Sequence, residues 1–154
     1  MASKIQESLL RQSATVLEEW AMMMIDEPKG GLETFADGEE FLIVEMPFLC
    51  DGKPAGSTFA IAQRPLCNIV FENVLGSVEG DEMTDVHRSD AFRELLNIVT
   101  GHFVSDYFTD DAVVVLSAPT FHVAQRDEVE KIVNAESAYL IADEQPVVFT
   151  YRPN

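Results

Sequence analysis

Asp90, Glu94, Asn97 and Gly101 recur at helical spacing and bring together groups that could do chemistry: two carboxylates, a carboxamide and a position with no side chain. At 3.6 residues per turn each residue advances about 100° around the axis. All four therefore share one narrow arc of a helix. A carboxylate accepts hydrogen bonds and pairs with cations, whereas a carboxamide both donates and accepts. A carboxamide can thus orient a water molecule toward an electrophile. Phe92, Leu96, Val99 and Phe103 fall on the opposite side, so the same helix also has a face for a core. Asp, Asn and Gly are weaker helix formers than the residues that usually pad a solvated face, which is mild evidence that something else selects them. Each also has an ordinary reading. Asp90 could solvate the start of the helix, Glu94 could simply face water, and Gly101 could mark a kink or a close helix–sheet contact.

The elements that must hold this arc follow from the surrounding pattern. Residues 3–25 read as a first helix with Ser3 as N-cap and an apolar stripe of Ile5, Leu9, Val16, Trp20 and Met24, widened by Leu10, Leu17 and Met23. The three consecutive methionines, Met22, Met23 and Met24, read as core filling rather than as a soft recognition patch. Pro28, Gly30 and Gly31 turn the chain. Residues 40–48 and 56–62 read as strands joined across Asp51 and Gly52, a strong hairpin signal. A short helix is expected over 63–75, opened near Pro65 and closed by Gly76. An acidic loop at 77–85 leads into the long helix, 86–108. Residues 112–116 form a β-branched run of the kind found in buried strands. Pro119 breaks it, and 120–125 continues as a further strand. Residues 127–134 fit either a helical turn or two or an irregular connection. Two last strands, 137–142 and 146–152, flank an acidic turn at Asp143 and Glu144. Strands gathered toward the end of the chain point to an α+β fold, an antiparallel or mixed sheet with the long helices packed on one face.

Length and charge bound the function. The 154 residues suit one domain, 1–154, with a sizeable core. Ten basic residues against 27 acidic ones give a net charge of −17. Such a surface repels phosphate backbones and anionic lipid, which disfavours nucleic-acid and membrane-surface roles. No apolar run approaches the roughly 20 residues of a membrane span, and the N-terminal residues lack the apolar centre of a signal peptide. Cys50 and Cys67 are too few and too far apart for a zinc ribbon or a redox pair, and read as reduced thiols in a cytoplasmic protein. His87, His102 and His122 match no metal-ligand spacing. No phosphate-binding glycine loop, dinucleotide fingerprint or nucleophile elbow is present.

The run Asp90, Glu94, Asn97 and, further on, Pro119 resembles the signature of the CheC/CheX/FliY chemotaxis phosphatases: Asp or Ser, three residues, Glu, two residues, Asn, then a longer gap to Pro. Here 21 residues separate Asn97 from Pro119, one fewer than in the usual pattern. Gly101 four residues after the Asn, the segment Ser117, Ala118, Pro119 and Thr120, and the short helix 65–76 resemble their counterparts as well. A single motif is present, with no second copy in the first helix, so the chain is most similar to the CheX-like members. The resemblance implies hydrolysis of the aspartyl phosphate of a CheY-type response regulator. The partner receiver would bring Mg²⁺, a Lys and the phosphorylated Asp, and this chain would bind no cofactor of its own. By the same resemblance Asn97 would place the hydrolytic water and Glu94 would pair with the receiver's Lys. Asp90 and Gly101 would be partner-binding, with Gly101 allowing close backbone approach, and Pro119 would shape the strand beneath the helix. CheX-like proteins are homodimers, so a homodimer is implied too. The alternative is a CheX-like module that binds a receiver or a signalling or flagellar partner without catalysis.

Overall fold

A computed structural model describes residues 2–28, 30–76 and 82–154. Residues 77–81 of the expected acidic loop, and Lys29 of the turn after the first helix, lie outside the described residues. The order is α1 (Lys4–Glu19), β1 (Ile25–Asp26), a 3-10 turn (Leu32–Thr34), β2 (Phe41–Cys50), β3 (Lys53–Ala62), α2 (Arg64–Leu75), α3 (Asp85–Tyr107), β4 (Val114–Leu116), β5 (Thr120–Ala124), α4 (Arg126–Ile132), β6 (Ala138–Ala142) and β7 (Gln145–Pro153). The strands form a single antiparallel sheet in the order β1-β6-β7-β3-β2-β4, with β5 also pairing β2. The fold is α+β, as the segregated pattern predicts.

Local chemistry explains most boundaries. Ser3 caps α1 by accepting the Gln6 N–H at 3.1 Å. Asp51 and Gly52 both adopt positive φ, 52° and 81°, the geometry that matches a two-residue hairpin to the strand twist. Pro65 opens α2 and Gly76 closes it. The first helix is shorter than its apolar stripe suggests. It ends at Glu19, Met22 takes a φ of 57°, and residues 20–24 form an irregular segment in which the Trp20 and Ala21 N–H groups donate to the Val16 carbonyl and the Met23 N–H to that of Leu17. Ala21 and Met23 in that segment are buried, whereas Met22 and Met24 are 63% and 79% exposed. Of the three methionines expected to fill the core, only Met23 does so. The Asn73 side chain of α2 donates to the Ala21 carbonyl at 2.8 Å, holding the segment against the helix layer.

The helices α1, α2 and α3 cover one face of the sheet. Their buried side chains, Leu9, Leu17, Leu66, Val70, Phe92, Leu96 and Phe103 among them, meet Val44, Met46, Ala60 and Phe149 of the sheet in the main core. On the other face the ambiguous segment resolves into α4, whose Val129 closes a smaller core with Phe35, Phe41, Ile43, Phe59 and Val148. Residues 112–116 also differ from expectation. Only 114–116 form a strand, β4, and it lies on the sheet's edge with Val113 and Val115 64% and 52% exposed. Its alternate residues Val114 and Leu116 pack against the main core, which accounts for the apolar run without full burial.

α3 is pinned along its length. Near its start the Asp85 carboxylate receives both Arg64, through Nε at 3.0 Å and Nη2 at 2.9 Å, and Arg88 at 2.7 Å. Arg88 also donates to Asn68 of α2 at 2.7 Å. In the middle the fully buried hydroxyls of Thr100 and Thr58 share a hydrogen bond of 2.7 Å that ties the helix to β3. Near its end Asp106 accepts from Ser8 of α1 at 2.7 Å and pairs with Arg11.

Candidate functional site

The edge of the sheet beside α3 is interrupted. Phe48 of β2 pairs with Leu116 and Glu45 with Thr120, so residues 117–119 face only 46–47. One extra residue on the edge strand makes a β-bulge. Pro47 accounts for its place. The Ser117 N–H donates to the Pro47 carbonyl at 2.9 Å, so the polar groups of residue 47 point toward this edge. Proline has no N–H to return, and the ladder loses a bond there. Pro119 withholds a second donor on the facing segment.

The bulge and α3 enclose an open groove of about 420 Å³ lined by Met46, Asp90, Arg93, Glu94, Asn97 and residues 116–119. Three of the four residues expected to act together, Asp90, Glu94 and Asn97, therefore line one groove, and Pro119 forms part of its far wall as well as breaking the strand. Asp90 and Glu94 are exposed and Asn97 is half-buried. Among the described residues neither Glu94 nor Asn97 has a side-chain hydrogen bond or ion pair, so both polar ends are available to a partner. Asp90 is engaged instead, accepting from Arg93 at 2.9 Å.

Gly101 lies one turn further along α3, where the groove's neighbour begins. That second concavity shares Leu116 with the first and is lined by Gly101, Val104, Ser105, Thr109, Asp110, Ala112 and Val114. A Cβ built on Gly101 would meet nothing within 4 Å. The glycine therefore permits no close helix–sheet contact inside this chain. The core side of α3 is wider than the four expected residues. Phe92, Leu96, Val99 and Phe103 are buried, and so are Ala91, Leu95, Thr100 and Val104, because α1, α2 and the sheet surround the helix on three sides.

Sequence reasoning missed Arg93, Met46 and the bulge. Arg93 sits at the edge of the polar arc, four residues before Asn97, and side chains at that spacing are surface neighbours. Its position was readable from helical geometry. The bulge was not, because it depends on register with β2. His87 proves structural: its Nδ1 accepts the Thr84 N–H at 3.0 Å, capping α3, and its ring packs edge-on against Phe71. Among the described residues no three His, Cys, Asp or Glu side chains converge as a metal site, and no helix is long and apolar enough to cross a membrane. Cys67 is buried, which pushes its thiol well above the ordinary range, and Cys50 is half-buried; both are free.

No protein-family model and no curated protein sequence matches the chain. Solved structures do. CheX from Vibrio vulnificus superposes with a TM-score of 0.64 at 14% identity, covering 99% of this chain and 97% of that one. It has the fold of the CheC, CheX and FliY proteins. CheX from Borrelia burgdorferi, in a complex with CheY, BeF3 and Mg²⁺, gives a TM-score of 0.58 at 19% identity, with 96% of each chain covered. FliY from Thermotoga maritima gives 0.55 at 12% identity, with 97% of this chain and 90% of that one covered.

Proposed function

We propose that the chain is a CheX-like phosphatase that removes the aspartyl phosphate of a CheY-type receiver in a chemotaxis-type signalling system. The observation that carries this reading is that Glu94 and Asn97, one turn apart and without side-chain partners among the described residues, open onto a single groove beside the interrupted sheet edge. That the Borrelia CheX of the same fold is seen in complex with CheY supports the choice of partner. The reaction asks little covalent chemistry of the phosphatase. Water attacks phosphorus in line and a new P–O bond forms. The bond to the receiver's Asp breaks with its electron pair left on the carboxylate, and the water's proton goes to the departing phosphate. Mg²⁺ and a Lys on the receiver would neutralise the developing charge.

This chain's contribution is placement. The Asn97 carboxamide oxygen accepts a hydrogen bond from the attacking water and its NH2 can donate one to a phosphoryl oxygen, without the repulsion a carboxylate would introduce. Glu94, on the same side of the helix, takes the receiver's ammonium and sets the docking register. The test is phosphate release from a phosphorylated CheY-type receiver with Mg²⁺ and the full chain. Wild type is expected to accelerate release, and Asn97→Ala to lose about a hundredfold of that acceleration, equivalent to about 2.7 kcal/mol of barrier. Equal acceleration by wild type and Asn97→Ala would remove the catalytic role. Tight binding with no acceleration by wild type would make the chain a module that acts by occupancy.

A further inference from the structure

Among the described residues Arg93 is the only cation lining the groove, in a chain with 27 acidic residues. Its position is specific. It lies three residues after Asp90 and four before Asn97, so on the helix surface it stands between the carboxylate that holds it and the carboxamide. Asp90 receives its Nη2 at 2.9 Å, and its Nε lies 3.4 Å from the Ser89 carbonyl. Arg64, Arg88, Arg11 and Arg126, by contrast, all bridge separate elements of the fold. Among the described residues Arg93 bonds only within its own helix turn. Its side chain is 41% exposed and that of Asp90 54%, a setting in which an ion pair contributes little to stability. The pair therefore does little for the fold, yet it sits at the mouth of the proposed site.

We propose that Arg93 is a docking residue that takes an oxyanion at the receiver's phosphorylation site, and that Asp90 keeps its guanidinium positioned over the groove. This rests on the receiver-phosphatase reading and assigns a charge pattern to it. Glu94 offers a negative group to the partner's ammonium, and Arg93 offers a positive group to the phosphoryl group or to the carboxylates around it. A planar guanidinium suits either oxyanion, with two parallel donors. The arrangement also offsets repulsion between a strongly acidic chain and a phosphorylated, carboxylate-rich site. Asp90, expected to touch the partner, becomes a positioning residue acting through Arg93.

The experiment measures Kd for a CheY-type receiver with Mg²⁺, with and without beryllofluoride, together with kcat and KM for phosphate release. Arg93→Ala is expected to weaken capture by roughly fivefold to thirtyfold and to flatten its dependence on salt, with kcat nearly unchanged. Arg93→Lys should recover part of the affinity. Asp90→Ala should give a smaller loss of the same kind. A defect confined to the beryllofluoride-loaded receiver identifies the phosphoryl group as the oxyanion, and an equal defect in both identifies a carboxylate. Wild-type Kd and KM in Arg93→Ala would overturn the proposal while leaving the role of Asn97 standing. Loss of kcat alone would also overturn it. Failure of the wild-type chain to bind any loaded receiver would overturn the phosphatase reading and this proposal with it. A thermal melt unchanged from wild type guards against misfolding.

Discussion

Replacing Gly101 with alanine separates two reasons for a glycine in the middle of a 23-residue helix. A glycine inside a helix costs about 0.5–1 kcal/mol relative to alanine. That cost is worth bearing for the fold only where a side chain would collide. Here an added Cβ meets nothing within 4 Å, so no clash offsets the gain. Gly101→Ala should therefore stabilise the chain by about 0.5–1 kcal/mol. In a domain of this size that is a rise in Tm of roughly 1–4 °C. Urea unfolding should show a higher midpoint with an unchanged slope. Gly101 faces the continuation of the groove, so the same methyl group should weaken binding of a beryllofluoride-loaded receiver severalfold if the partner's backbone approaches there. Receiver titrations run beside the melts separate the possibilities. A fall in Tm would refute the reasoning, because it would mean the glycine serves packing after all. A rise in Tm with unaltered affinity would remove Gly101 from the docking surface.

Other outcomes follow from contacts elsewhere in the fold. Hydrogen bonds from Arg64, and then from Arg88, hold the Asp85 carboxyl down to about 2, against an ordinary 3.8. The folded value lies below the unfolded one, so this stabilisation is complete above about pH 4 and is lost as pH falls toward 2. Asp85→Asn should cost about 1 kcal/mol or less at pH 7, since the carboxylate is partly solvated, and should flatten acid unfolding in that window. Thr58→Val or Thr100→Val alone should cost about 1–3 kcal/mol by stranding a buried hydroxyl, whereas the double variant should be close to neutral; a double-mutant cycle by chemical unfolding reads the coupling. Glu144 sits in the β6–β7 turn at a φ of 69°, so Glu144→Gly should raise stability by about 0.5–1 kcal/mol in the same assay.

Features encoded by short-range chemistry were legible in the sequence. Asp51 with Gly52, Pro65 with Gly76, and the two-faced pattern of 86–108 each specify a turn, a helix or a packing direction without help from distant residues, and all three are found as expected. Features set by tertiary register were not. Met23 continues the apolar stripe of α1, but it is buried from an irregular segment whose Ala21 carbonyl is held by Asn73, 52 residues downstream. The β-branched run before Pro119 looks central, yet which strand becomes an edge is decided by pairing order. The bulge opposite Pro47 has no local signal beyond the two prolines. For the site, Asp90, Glu94 and Asn97 were recognisable because one helix carries them all. Arg93 was overlooked because it falls just outside the arc that made those residues conspicuous.

The buried hydrogen bond between Thr58 and Thr100 bears on how precisely the proposed site can be aimed. It lies on the side of α3 facing β3, one turn from Asn97, and acts as a stop against rotation of the helix about its own axis. Side-chain tips on a helix lie about 5–6 Å from that axis, so a roll of about 10° carries the Asn97 amide roughly 1 Å sideways. Misplacement on that scale can cost about a hundredfold in a reaction that depends on alignment. With α1, α2 and the sheet gripping α3 and the two hydroxyls fixing its angle, the backbone that carries the carboxamide is aimed when the chain folds, and only the side-chain torsions of Asn97 are left to be ordered on meeting a partner.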